Sequence, residues 1–195
     1  IGKNTLEIVA RNKKLFKVIV LVANTNYKLI KKQIKKFEPS YFIIKNKNTF
    51  LKIKKEFSKN KVKIFNNFNI PLKQKKIDIT IAAIPGLAGL EPTIIFTKKS
   101  KKILLANKES IICGWNIINN IAKKNKTIII PLDSEHFSIY QLVQNIKNNE
   151  IEKIYLTASG GPFLNLPINK FKNIKPSHAL KHPKWKMGKK ISVDS

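Results

Sequence analysis

Apolar runs of strand length alternate along this chain with stretches in which apolar residues recur every three or four positions. "KVIVLVA" from Lys17, "YFII" from Tyr41, "KVKIF" from Lys61, "IDITIAA" from Ile77, "KILLA" from Lys102 and "TIIIP" from Thr127 are rich in Ile and Val and nearly continuous. Runs without apolar–polar alternation are the habit of parallel strands buried on both faces. Between them, Tyr27, Ile30, Ile34 and Phe37 fall on one helical stripe, and Ile111, Trp115, Ile118 and Ile121 on another, each expected to face the core. The opening "IGKNTLEIVARN" predicts a helix with Gly2 in its first turn. This alternation predicts an α/β fold: a Rossmann-like, doubly wound, mainly parallel sheet. After Pro131 the pattern changes to a helix over about His136 to Ile146, a strand in "IEKIYLTA", a loop "SGGPF" and the Pro- and His-containing "KPSHALKHPKWKMGKK". A boundary near Leu132 is expected, with a Rossmann-like domain over 1–131 and the start of an α+β domain over 132–195.

Ligands of doubly wound folds bind beyond the carboxyl ends of the strands, so polar residues there carry the most information. "ANTN" (Ala23, Asn24, Thr25, Asn26) follows the first strand, "IPGLAGLEP" the fourth, "NKES" the fifth and "DSEH" the sixth. Asp133 and Glu135 are two apart, so both carboxylates can reach one hard cation such as Mg²⁺ or Mn²⁺. Equally, Asp133 or Ser134 can cap the following helix while Glu135 favours its positive end. Position at the ligand-binding edge favours the metal. In "NKES", Lys108 suits an anionic or carbonyl oxygen, and Asn107 and Glu109 suit hydroxyl or amide groups of a cofactor; a solvated lysine is the competing account. Ser159 beside two glycines suits a phosphate-wrapping loop or a plain turn. His182, Trp185 and Met187 share one short segment, where the indole is either a core anchor or a lid that excludes water. Gly2 is either the last glycine of a phosphate-binding turn or an ordinary helix start.

Composition changes this picture little. The formal net charge is +28, with 39 Lys and Arg against 11 Asp and Glu, which invites a nucleic-acid reading. Yet Arg11 is the sole arginine, Ile and Asn are abundant alongside Lys, and the lysines are spread over the whole chain, as A/T-biased codon usage produces. A specific nucleic-acid site is therefore not expected. Cys113, the single cysteine, excludes an internal disulfide and a thiolate-clustered zinc site, and is expected as a core thiol in a reducing compartment. No apolar stretch approaches the roughly 20 residues of a membrane helix and no signal peptide opens the chain, so neither membrane insertion nor secretion is expected. Residue 1 is Ile and the strand-like "KKISVDS" ends without a closing turn, so a fragment is expected.

The motifs "IGKNTLEIV", "ANKES", "PLDSEH", "LTASGGPF" and "HPKWKMGKKISVDS", in this order, closely resemble the 1-deoxy-D-xylulose 5-phosphate reductoisomerase family over the whole chain. The resemblance implies an NADPH-dependent, divalent-metal-dependent oxidoreductase of non-mevalonate isoprenoid biosynthesis, working as a homodimer in a bacterial cytoplasm or a plastid. It implies Asp133 and Glu135 as ligands of Mg²⁺ or Mn²⁺, with Co²⁺ a further candidate. Lys108, Ser134, Glu135, Ser159, His182 and Ser195 would contact the sugar phosphate, with Trp185 and Met187 in a lid over it. Lys108, Asp133, Glu135 and His182 would be the catalytic set. The NADPH side would comprise Ile1, Gly2, Ala23, Thr25, Asn26, Asn107, Glu109 and Gly188. Asn24 stands where many relatives have Gly. The first strand with its glycine loop is expected before Ile1; an Asn, a Lys, a third metal carboxylate and a helical domain are expected after Ser195, so this piece alone is expected to be inactive. The alternatives are a different or decayed Rossmann-type cofactor-binding domain and a basic nucleic-acid-binding module.

Overall fold

A computed structural model describes residues 1–72, 76–147, 150–156, 160–184 and 188–194. The chain divides into two compact units, Ile1–Gln144 and Asn145–Ser195.

The first unit is the alternating α/β structure that the pattern predicts. It runs α1 (Gly2–Arg11), β1 (Val20–Ala23), α2 (Tyr27–Phe37), β2 (Tyr41–Ile44), α3 (Lys47–Glu56), β3 (Lys63–Phe65), β4 (Ile77–Ala82), α4 (Leu90–Lys99), β5 (Ser100–Leu105), α5 (Lys108–Asn125), β6 (Ile128–Pro131) and α6 (Ser134–Val143). All ladders are parallel, but they form two three-stranded sheets, ordered β1-β2-β3 and β4-β5-β6. Each strand ends within a residue or two of its expected limit.

Strand β2 shows why an unbroken apolar run is needed. Phe42 and Ile44 point into a cluster with Ile30 and Ile34 of α2 and Ile53 of α3. Tyr41 and Ile43 point to the other side, into a cluster holding Phe68, Ile70 and Phe96 of α4. Val20 and Val22 of β1 and Ile77 of β4 pack against that same second cluster. The abundant asparagines find use at helix starts: the side chains of Asn26, Asn46 and Asn107 accept hydrogen bonds from the backbone N–H groups of Leu29, Thr49 and Ser110, at 3.1, 2.9 and 2.7 Å.

Two helices end on residues in the left-handed region, Glu38 (φ 43°) and Lys126 (φ 53°). A side chain there crowds the backbone, and glycine does not. Glu38→Gly is expected to raise stability by about 1 kcal/mol, read from thermal unfolding.

On α2, Tyr27 donates its hydroxyl hydrogen to Glu56 of α3, and Lys31 Nζ lies 2.5 Å from the same carboxylate. The Lys31 and Tyr27 hydrogen bonds hold the Glu56 carboxyl below its ordinary 4.5, and Glu56 in turn holds the Lys31 ammonium above its ordinary 10.5. A depressed carboxyl stabilises above its unfolded value and loses this as pH falls; a raised ammonium stabilises below its unfolded value and loses this as pH rises. The triad's contribution is therefore present between those two ordinary values. Glu56→Gln should lower stability at neutral pH, with the gap to the parent closing below pH 4.5 in denaturation curves. Elsewhere Glu91 meets Lys45 at 3.7 Å and Asp78 meets Lys101 at 2.7 Å. With 39 basic side chains against 11 acidic ones, such one-to-one pairing leaves most lysines facing solvent.

Several expectations are corrected. Ile118 of the expected stripe is buried but Trp115 is 44% exposed; α5 also buries Ser110, Gly114 and Ala122, the helix bending at Gly114, where Leu90 of α4 packs into the space a side chain would fill. Cys113 lies on the exposed face of that helix and is not a core thiol. In the second unit, Ile151–Leu156 form no strand: no neighbouring strand among the described residues pairs with them, and Ile154, Tyr155 and Leu156 are exposed. The end of the chain is also not a strand. Lys189–Asp194 form a helix, which satisfies its own backbone groups where a lone strand cannot. The rest of this unit includes a 3₁₀ turn over Ile168–Asn173 and one helical turn at Pro176–Ala179. Among the described residues, no helix is long and apolar enough to cross a membrane.

Candidate active site

Four polar segments stand at the carboxyl ends of β1, β4, β5 and β6, as the sequence reading requires. Strands β5 and β6 are neighbours with Leu105 opposite Pro131, and the Leu132 N–H donates to the Leu105 carbonyl at 2.8 Å. That ladder ends shortly before Lys108 on one side and Asp133 on the other. "NKES" and "DSEH" therefore open two helices side by side.

Asp133 caps α6. Its Oδ1 accepts from the His136 backbone N–H at 3.0 Å and meets the His136 ring Nδ1 at 2.5 Å. Partial burial pushes the Asp133 carboxyl upward, but the two bonds from His136 outweigh it and the group sits below the usual carboxylate range. Glu135 accepts the Ser134 hydroxyl at 2.9 Å. Its own backbone N–H and Ser134 hold its carboxyl low, and Lys108 adds to that pull against burial and the repulsion of Asp133. Both acids are thus anionic at neutral pH, with Lys108 near enough for its charge to be felt. The cap reading of "DSEH" is the one seen: it uses one oxygen of Asp133, while Oδ2 lies outside these bonds.

Two adjacent hard oxygen donors fit Mg²⁺ or Mn²⁺, which prefer carboxylate and water oxygen. Among the described residues no group of three or more His, Cys, Asp or Glu side chains is placed to hold an ion. His136 is part of the motif, yet the sequence reading assigns it no role; its ring orients the Asp133 carboxylate, the kind of outer support that metal-ligating carboxylates receive.

Of the residues expected on the cofactor side, Asn26 caps α2 and the Thr25 carbonyl accepts from the Thr49 hydroxyl at 3.5 Å. Ile1 and Gly2 are exposed at the start of α1. Asn107 is buried, at 1% exposure, and both of its donor hydrogens go to the carbonyls of Ile84 and Gly86. Strand-end position alone locates the "PGLAG" loop, which supplies the Gly86 carbonyl, but assigns it no site residue; two glycines closely following a strand are the available signal.

In the second unit, the His182 Nδ1 accepts from the Lys184 backbone N–H at 3.2 Å, and Gly188 lies at the start of the last helix with open space around it. Gly160 has φ +66°, so the loop after Ser159 is one that glycine permits. Ser159, Trp185, Met187 and Ser195, named from the sequence, lie outside the described residues.

A family model described as 1-deoxy-D-xylulose 5-phosphate reductoisomerase matches residues 1–114. The chain belongs to the 1-deoxy-D-xylulose 5-phosphate reductoisomerase family. The model for the reductoisomerase C-terminal domain matches residues 129–195. A reductoisomerase of Pelagibacter ubique (strain HTCC1062) is 50% identical over 199 residues, covering 100% of this chain and 51% of that protein. The chloroplastic reductoisomerase of Mentha piperita is 38% identical over 205 residues, covering 100% of this chain and 43% of that protein. A crystal structure of a reductoisomerase in complex with NADPH, fosmidomycin and magnesium superimposes with a TM-score of 0.80 at 29% identity, covering 99% of this chain and 51% of that one. The chain spans about half the length of the reductoisomerases it matches. The Rossmann-like α/β reading of its fold stands.

Proposed function

We propose that this chain carries the NADPH-binding part and the start of the metal-binding part of an enzyme that rearranges and reduces 1-deoxy-D-xylulose 5-phosphate to 2-C-methyl-D-erythritol 4-phosphate. The observation that carries this reading is the juxtaposition of Lys108 with the Asp133–Glu135 pair at the ends of β5 and β6. Asp133 and Glu135 would hold the divalent ion, which when bound polarises a ketone and makes a neighbouring hydroxyl more acidic. His136 keeps Asp133 aimed and anionic. Lys108 presents a fixed positive charge where oxygen charge develops, and the Ser134 hydroxyl supplies a donor beside it. By the family resemblance, His182, Ser159 and Ser195 would contact the substrate, the last two at its phosphate, and Trp185 and Met187 would belong to a lid. By the same resemblance, Ile1, Gly2, Ala23, Thr25, Asn26, Glu109 and Gly188 would lie on the NADPH side.

The division between the two functional parts is placed at Leu132, supported by the start of the C-terminal family match at residue 129. A homodimer, and a bacterial cytoplasm or plastid as the compartment, complete the proposal; the relatives named above include bacterial and chloroplastic proteins. The test is NADPH oxidation by the full-length protein with 1-deoxy-D-xylulose 5-phosphate, with and without Mg²⁺ or Mn²⁺. Turnover that stops on chelation and returns with the metal supports the assignment. Metal-independent turnover, or none under any condition, refutes it. The 195-residue chain assayed alone is expected to be inactive.

A further inference from the structure

The Asn107 carboxamide sits at the crossing of two carboxyl-edge loops. Its Oδ1 caps α5 by accepting from the Ser110 N–H at 2.7 Å, and its Nδ2 donates to the Ile84 carbonyl and, at 3.0 Å, to that of Gly86. Both hydrogens of the amide are thereby consumed inside the protein, and the side chain is sealed from solvent. The loop is shaped to admit it. A Cβ on Gly89 would stand 2.1 Å from Asn107 Nδ2 and 2.4 Å from the Ile84 carbonyl oxygen, so only glycine leaves the room. The Gly89 N–H closes the turn onto the Gly86 carbonyl at 3.1 Å, and the Thr93 hydroxyl fastens the Gly89 carbonyl to α4 at 2.7 Å. This loop leaves the carboxyl end of β4, and ligands of doubly wound sheets settle beyond the carboxyl ends of the strands.

We infer that Asn107 is a positioning residue for the cofactor: its amide clamps the Ile84–Gly89 loop to the start of α5 and so fixes one wall of the NADPH crevice, without touching NADPH through its side chain. This rests on the function proposed above, and it changes what Asn107 does there. The carboxamide is specifically required. Aspartate keeps the helix cap but turns a carboxylate toward two carbonyl oxygens; serine keeps a cap and removes both donors.

The test uses full-length Asn107→Asp and Asn107→Ser, the serine variant guarding against failure to fold. Amide hydrogen exchange of residues 84–90 in the cofactor-free protein reads the clamp directly, and NADPH titration by fluorescence reads the crevice. Both variants should exchange faster in that loop and bind NADPH about tenfold or more weakly, with kcat at saturating NADPH changed by less than about threefold. Weak NADPH binding with unchanged exchange would make Asn107 a direct ligand and overturn the inference. Faster exchange with unchanged NADPH affinity would make it a structural brace only, which also overturns it. A full-length protein that binds NADPH but turns over no substrate would sink the proposed reaction, while the exchange and titration readouts would still decide the role of Asn107.

Discussion

Asp133→Asn and Glu135→Gln in the full-length protein should each lower metal-dependent turnover by about 10³ or more, with folding intact. The substitutions remove charge while keeping shape. Asparagine is as good a helix cap as aspartate, so α6 keeps its first turn and the loss reads the metal site rather than the helix. Asp133→Ala is the contrasting variant: it should show the same loss of turnover and a further ~1 kcal/mol of destabilisation from the missing cap. Turnover of NADPH across a Mn²⁺ titration, together with calorimetric Mn²⁺ binding, checks both halves. Near-parental activity in Asp133→Asn would remove that carboxylate from the metal site and leave it a cap alone.

Phe42→Ala carries the largest stability effect expected of a single core residue. Phe42 is fully buried in the middle strand of its sheet, packed against α2 and α3, where neighbouring main chain on both sides prevents collapse into the space left. A loss of about 3–5 kcal/mol is expected, seen as a lower denaturant midpoint at unchanged slope. Leu142→Ala, on the exposed side of α6, should stay within about 0.5 kcal/mol of the parent. An effect of that small size at Phe42 would mean that β2 is not the centre of the core.

The first unit is legible in the sequence because its signals are local and redundant. "YFII" is apolar at every position, and only a strand buried on both faces tolerates that; the structure returns Tyr41–Ile44 as the strand, with all four residues buried. The "DSEH" motif is legible for the same reason, since a cap and a carboxylate pair are both written within four residues. The signals that mislead are non-local. Whether "IEKIYLTA" becomes a strand depends on a partner strand, which no window of sequence contains. The stripe through Trp115 assumes an unbroken helix, and the backbone departs from helical geometry at Gly114, the residue before it. The partners of Asn107 are equally non-local: its two carbonyl acceptors come from a loop more than twenty residues earlier.

The lysines that meet no acid have a consequence away from any one contact. On the proposed function both ligands, NADPH and a sugar phosphate, are anions, and a surface carrying a net +28 would draw each of them in before any motif is reached. Screening at about 0.1 M salt shortens that reach to roughly 10 Å. Capture of both molecules should therefore slow as salt is added, while the step after capture, governed by groups already in contact, holds nearly constant. On that function, ionic strength would set how often the crevice fills, and the carboxylate pair would set the rate of reaction once it is full.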